Sequence, residues 1–125
     1  MFKRIDHVAL SVRDLSGAVA FYEANFGFQK YAEHHVGRGG VEGIAYLKLG
    51  DTVLELAHMP QAPPVASFHF CLEVEDFDRA MAQLQERGLP LVQPPHPTAA
   101  RESREEGWRR VVFQGPEGEQ IELRG

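Results

Sequence analysis

Cysteine is almost missing from this 125-residue chain, with Cys71 the single example. One thiol excludes a disulfide framework within the chain and any cysteine-rich zinc knuckle. It fits a reducing compartment. Long apolar runs are missing as well, so no segment has the length of a membrane span. The opening Met1-Phe2-Lys3-Arg4-Ile5-Asp6-His7 has no stretch that would serve as a signal sequence. The expectation is a cytoplasmic protein with no membrane partner. A basic excess is also lacking: the formal charge is −5, which argues against nucleic acid as a partner. Apolar residues, in contrast, are not scarce. Their 43% share beside 25% charged residues excludes a disordered chain and predicts one globular domain over 1–125.

What the sequence does contain is a repeat. His7-Val8-Ala9-Leu10-Ser11-Val12-Arg13-Asp14 and His69-Phe70-Cys71-Leu72-Glu73-Val74-Glu75-Asp76 align without gaps, His on His and Asp on Asp. Both copies begin with strict alternation, the mark of a half-buried strand. Val8, Leu10 and Val12 share one face in the first copy, and Phe68, Phe70, Leu72 and Val74 in the second. His7, Ala9 and Ser11, and likewise His69, Cys71 and Glu73, fall on the other face. Asp14 and Asp76 then suit a helix N-cap, and Gly27 and Gly88 a helix stop.

Strand-like pieces follow each helix: Phe28–Ala32, Ile44–Leu49 and Thr52–His58 first, then Leu89–Gln93, Arg109–Gln114 and Gln120–Arg124. The proline-bearing stretch Met59–Ala66 separates them. The prediction is an α+β fold of two βαβββ modules, 1–58 and 67–125, joined by a linker over 59–66.

Two glutamates complete the pattern. Glu55 lies between Leu54 and Leu56, and Glu122 between Ile121 and Leu123. Period two turns each carboxylate away from its apolar neighbours and onto the face that carries His7 or His69. A single strand Glu is ordinarily solvated, and a single His ordinarily a hydrogen-bonded residue. Four such residues at repeat-related positions make a donor set for one divalent ion, with room for water or substrate oxygens. Zinc, nickel, cobalt, manganese and iron all accept imidazole and carboxylate.

These residues carry a resemblance. Asp6-His7-Val8-Ala9-Leu10-Ser11-Val12-Arg13-Asp14-Leu15, with Ala20-Phe21-Tyr22 and Phe26-Gly27-Phe28, resembles the opening module of glyoxalase and bleomycin-resistance proteins in the vicinal-oxygen-chelate superfamily. Val112-Phe113-Gln114-Gly115-Pro116-Glu117-Gly118-Glu119-Gln120-Ile121-Glu122-Leu123 resembles their closing strand pair, usually F-x-D-P-D-G-N-x-I-E-L. Gly115 stands where that pattern has Asp. The resemblance implies a U-shaped mixed sheet with helices outside, and metal ligands at His7, Glu55, His69 and Glu122. It also implies a small-molecule substrate and a homodimer, with each site built within one chain or between two.

The first activity it suggests is a lyase or isomerase of the glyoxalase I type, stabilising an enediolate on vicinal substrate oxygens. The alternatives are an acyl-thioester epimerase like methylmalonyl-CoA epimerase, or a non-enzymatic binding protein. Glu122 is the first choice of catalytic base and Glu55 its repeat-related counterpart. Ser11, Arg101, Arg104 and Trp108 are candidate substrate contacts, and Tyr46 a candidate pocket wall. Cys71 reads as a small filler, and His34, His35, His58 and His96 as surface residues.

Overall fold

A computed structural model describes residues 1–66 and 68–125. Residue 67, where the sequence reading starts the second module, lies outside the described residues. The chain divides into two compact units, Met1–Val65 and Ala66–Gly125. The class is α+β.

Unit 1 runs β1 (Val8–Val12), α1 (Leu15–Phe26), β2 (Gln29–Arg38), β3 (Val41–Leu49) and β4 (Thr52–His58). Its sheet has the order β1-β4-β3-β2, with β1 parallel to β4 and the other pairs antiparallel. Unit 2 repeats this with β5 (His69–Glu73), α2 (Phe77–Glu86), β6 (Leu91–Pro97), β7 (Arg109–Gln114) and β8 (Gln120–Arg124), in the order β5-β8-β7-β6. A single 3-10 turn, Ser103–Glu105, interrupts the connection from β6 to β7.

Both helices start where the sequence places them. The Asp14 carboxylate accepts the Gly17 N–H at 3.0 Å, and the Asp76 carboxylate accepts that of Arg79 at 3.0 Å. Each satisfies an N–H that the first helical turn leaves orphaned. Gly27 ends α1 in the left-handed region, at φ 75°.

The alternation sorts side chains as expected. Leu10, Val12, Ala45, Leu47, Leu54 and Leu56 are buried together with Ala18 and Tyr22 of α1. In unit 2, Val111, Phe113, Ile121 and Leu123 are buried, as are Phe77, Met81 and Leu84 along one face of α2. Each buried Leu removes enough apolar surface from water to contribute about 1.5–3 kcal/mol.

Three strands outrun their expected bounds, β3 by starting at Val41 in place of Ile44. β2 extends to Arg38 in place of Ala32, paired with β3 through two register shifts. β6 begins at Leu91 and continues through Pro94, Pro95 and Pro97, where the prolines suggested an end at Gln93. The reason is position. β6 is an edge strand paired with β7 alone, so missing N–H groups facing away from β7 cost no ladder bonds. Register shifts on both sides of Gln93 absorb the misfit.

Candidate metal and substrate site

The two units set their Glu residues in the same register. In unit 1, Ala9 lies opposite Glu55 across the parallel β1/β4 pair. In unit 2, Cys71 lies opposite Glu122 across β5/β8. Both partners sit two residues after a His, so each unit aligns a strand-leading imidazole and a mid-strand carboxylate on one sheet face.

Unit 1 brings its pair into contact. His7 Nε2 stands 2.9 Å from Glu55 Oε2, and His7 Nδ1 stands 3.0 Å from Asp6 Oδ2. The Asp6 hydrogen bond, helped by the Glu55 charge and opposed by desolvation, raises the imidazole pKa above its usual 6.5. Asp6 thereby orients the ring with Nε2 toward Glu55, as a carboxylate behind a ligating His does. Tyr46 of β3 is the register partner of Glu55 on the other side, and its ring lies 5.4 Å from that of His34. A cavity of about 230 Å³ opens beside His7, lined by Arg4, Ile5, Asp6, Val8, Thr52 and Val53. A larger one, about 620 Å³, lies along the start of α1 and includes neither His7 nor Glu55 among its lining residues.

In unit 2, Glu122 is only 8% exposed, while His69 is exposed. Arg110 donates from Nη2 to Glu122 Oε2 at 3.1 Å, and Arg124 Nη1 stands 4.0 Å from Glu122 Oε1. Arg124 also donates to the Ala99 carbonyl at 3.3 Å and to Glu105 Oε2 at 3.5 Å. Glu105 is fully buried and accepts the backbone N–H of Arg101 at 2.8 Å, besides a forked contact from the Arg101 guanidinium. Those Arg101 hydrogen bonds hold its carboxyl down at about 2. Cys71 shifts the other way: burial of the thiol, with the charge of Glu122 adding, pushes it up to about 11.

The remaining candidates are distributed as follows. Ser11 is half-buried on β1, opposite Ala57. Arg104 donates to Glu73 at 3.0 Å and contacts Glu102, and its guanidinium lies 5.0 Å over the Trp108 ring. Arg101 and Arg104 are thus both engaged by carboxylates of their own unit. Arg110, Arg124, Glu105 and Asp6 were not singled out from the sequence. Period two places Arg124 on the face of Glu122, two residues on, whereas Arg110 joins them only once β7 and β8 pair.

Of the four donors, only His7 and Glu55 are brought together, at a spacing that suits two ligands of one ion. Two ligands at about 2.1 Å from one ion, roughly at right angles, stand about 3 Å apart, close to the His7–Glu55 separation. Among the described residues, no three His, Cys, Asp or Glu side chains are gathered closely enough to hold an ion. Unit 1 taken alone supplies one imidazole and one carboxylate.

The model of the Glyoxalase/Bleomycin resistance protein/Dioxygenase superfamily matches residues 4–123. The chain belongs to this superfamily. Human mitochondrial methylmalonyl-CoA epimerase is 32% identical over 97 residues, covering 69% of this chain and 54% of the relative. The chain therefore spans about half the length of that enzyme. Ethylmalonyl-CoA/methylmalonyl-CoA epimerase of Cereibacter sphaeroides is 32% identical over 103 residues, covering 74% of this chain and 76% of the relative. Among solved structures, TnmS3, an antibiotic binding protein from Streptomyces sp. CB03234, is 28% identical with a TM-score of 0.74, covering 98% of this chain and 94% of that one. No described helix is long and apolar enough to cross a membrane.

Proposed function

We propose that the protein is a divalent-metal-dependent epimerase of an acyl thioester that carries a carboxylate on the carbon next to the thioester carbonyl. The observation that carries this reading is the shared register of the two units, which gives one carboxylate to each. Inverting a carbon requires a proton to leave one face and arrive at the other, and two repeat-related carboxylates suit that task. The epimerases among the relatives favour this over a glyoxalase-type lyase, the first expectation from the sequence.

His7, Glu55, His69 and Glu122 would hold the ion, with units pairing in one chain or across two copies. When bound, the ion supplies Lewis-acid stabilisation of negative charge developing on two neighbouring substrate oxygens. Glu122, ionised, would take the proton from the substrate carbon onto a carboxylate oxygen, and Glu55, starting protonated, would deliver its own proton to the opposite face; exchange with solvent then resets both carboxyls. Asp6 keeps the His7 ring fixed while this happens. The low exposure of Glu122 restricts water around the oxygen that holds the proton.

The test is exchange of the substrate's carbon-bound proton in D2O, followed by NMR on a methylmalonyl thioester. Metal-loaded protein should catalyse exchange, chelation should stop it, and Glu122→Gln that keeps its metal should lose about 100-fold or more in turnover. Normal turnover in Glu122→Gln with loss in Glu55→Gln would reverse the two roles. No exchange on any such thioester would sink the reading.

A second reading, ligand binding without chemistry, is supported by the antibiotic-binding structure and by the lack of a three-donor cluster among the described residues. It prevails if added divalent ions bind no more tightly to this protein than to its His7→Ala, Glu122→Gln variant.

A further inference from the structure

The face of unit 2 that carries Glu122 also carries two guanidinium groups side by side. Arg110 of β7 and Arg124 of β8 are direct register partners, and like charges placed opposite each other in a sheet destabilise it. Their Nε atoms are both buried and have no hydrogen-bond partner among the described residues. An arginine Nε left without an acceptor away from water is costly, and a guanidinium so placed has donors to spare for a ligand's oxygen.

The neighbouring carboxylates are largely spoken for. Glu73, the register partner of Arg124 on its other side, accepts from Arg104 at 3.0 and 3.4 Å. Glu105 accepts mainly from Arg101 and only distantly from Arg124. Glu122 is the carboxylate that Arg110 engages, at 3.1 Å. If Glu122 serves a metal and a substrate proton, Arg110 is left with no counter-ion.

We propose that Arg110 is the residue that recognises the substrate's free carboxylate. It holds Glu122 while the site is empty and transfers to the substrate when Glu122 is engaged in catalysis. Arg124, tied to Ala99 and Glu105, is the positioning residue behind it. The planar guanidinium offers a carboxylate two parallel N–H donors, which a lysine does not. This inference rests on the proposed role of Glu122, and it names the feature of the substrate that the site selects: a carboxylate beside the reacting carbon.

The experiment uses the full chain, stripped of metal and dialysed, with malonate as the probe. Binding is followed by calorimetry and by the arginine Nε–H signals in nitrogen-15 NMR. Glu122→Gln removes the competing carboxylate and should tighten malonate binding about tenfold, the scale of one charge-assisted hydrogen bond. Adding Arg110→Gln should abolish that gain, Arg110→Lys should keep part of it, and neutral dimethyl malonate should not bind. In the metal-loaded enzyme, Arg110→Gln should raise KM for a carboxylate-bearing thioester more than it lowers kcat. Thermal unfolding confirms that each variant is folded. Malonate binding that is equal in Glu122→Gln and in the double variant would overturn the proposal. If divalent ions bind no more tightly to the wild-type chain than to the His7→Ala, Glu122→Gln variant, the metal reading fails by itself, and the malonate comparison still decides the role of Arg110.

Discussion

At the turn before β8, Gly115 stands where the closing pattern it resembles has Asp, and the structure supplies a physical reason. The fully buried Glu119 carboxylate accepts the Glu117 N–H at 2.9 Å, and a Cβ added at Gly115 would come within 2.2 Å of Glu119 Oε1. The carboxylate that caps the turn comes from two residues after Glu117, and glycine leaves space for it. Gly115→Ala should cost about 1–3 kcal/mol by displacing that buried hydrogen bond. Chemical denaturation measures this, and Glu119→Ala in the same chain should show strong non-additivity. Additive costs would mean that the two positions do not share space. Cys71 permits a second prediction at this scale. With its thiol pushed up to about 11, it is protonated at pH 8 and should react with iodoacetamide far more slowly than a free thiol. Rapid alkylation at pH 8 in the folded protein, where Cys71 is exposed, would contradict the raised thiol pKa.

Among the elements, the segment from Thr98 to Trp108 is fastened by side chains and not by a ladder. Its anchor is Glu105, whose carboxyl lies at about 2 against a usual 4.5. A depressed carboxylate contributes stability that is fully present above the usual value and is lost as pH falls toward the folded one. Melting temperature should therefore drop between about pH 4.5 and 2, and Glu105→Gln should lower it at pH 7 while flattening that acid limb. An unchanged acid limb in the variant would assign the loss to other groups. The same segment shows where sequence reading runs out. Alternation and capping residues located α1, α2 and β4, because apolar period and Asp caps are local signals. The salt bridges that fix Arg101 and Arg104 depend on which carboxylates the fold brings near, and no local pattern carries that. β6 was cut short for a related reason: proline forbids a central strand, and only the sheet order reveals that this one is an edge. Of the candidate site, the His and Glu positions were readable from the repeat. The guanidinium pair was not, because Arg110 lies twelve residues from Glu122 in sequence and beside it only once β7 and β8 pair.

For the whole molecule, the distribution of donors sets the expectation. The proposed ligand set takes one His and one Glu from each unit, and with it we expect a homodimer in solution. Sedimentation should show twice the monomer mass at micromolar concentration, and a metal-loaded monomer would remove this expectation. If a dimer forms, mixing His7→Ala chains with Glu122→Ala chains distinguishes its construction. Sites shared between chains regenerate one intact centre per mixed dimer, and sites within a chain regenerate none.

The parallel pairing of β1 with β4 also bears on how the chain reaches this state. β2, β3 and β4 follow one another as an antiparallel meander, which can zip up through short connections. β1, first in sequence, pairs with β4 only across α1 and the whole meander. Closing so long a loop is an entropic barrier that local pairing does not face. His7 stands immediately before that strand. Its contact with Glu55 therefore ties the first strand's lead-in to the last strand of unit 1, so that one imidazole–carboxylate pair closes the unit's longest loop.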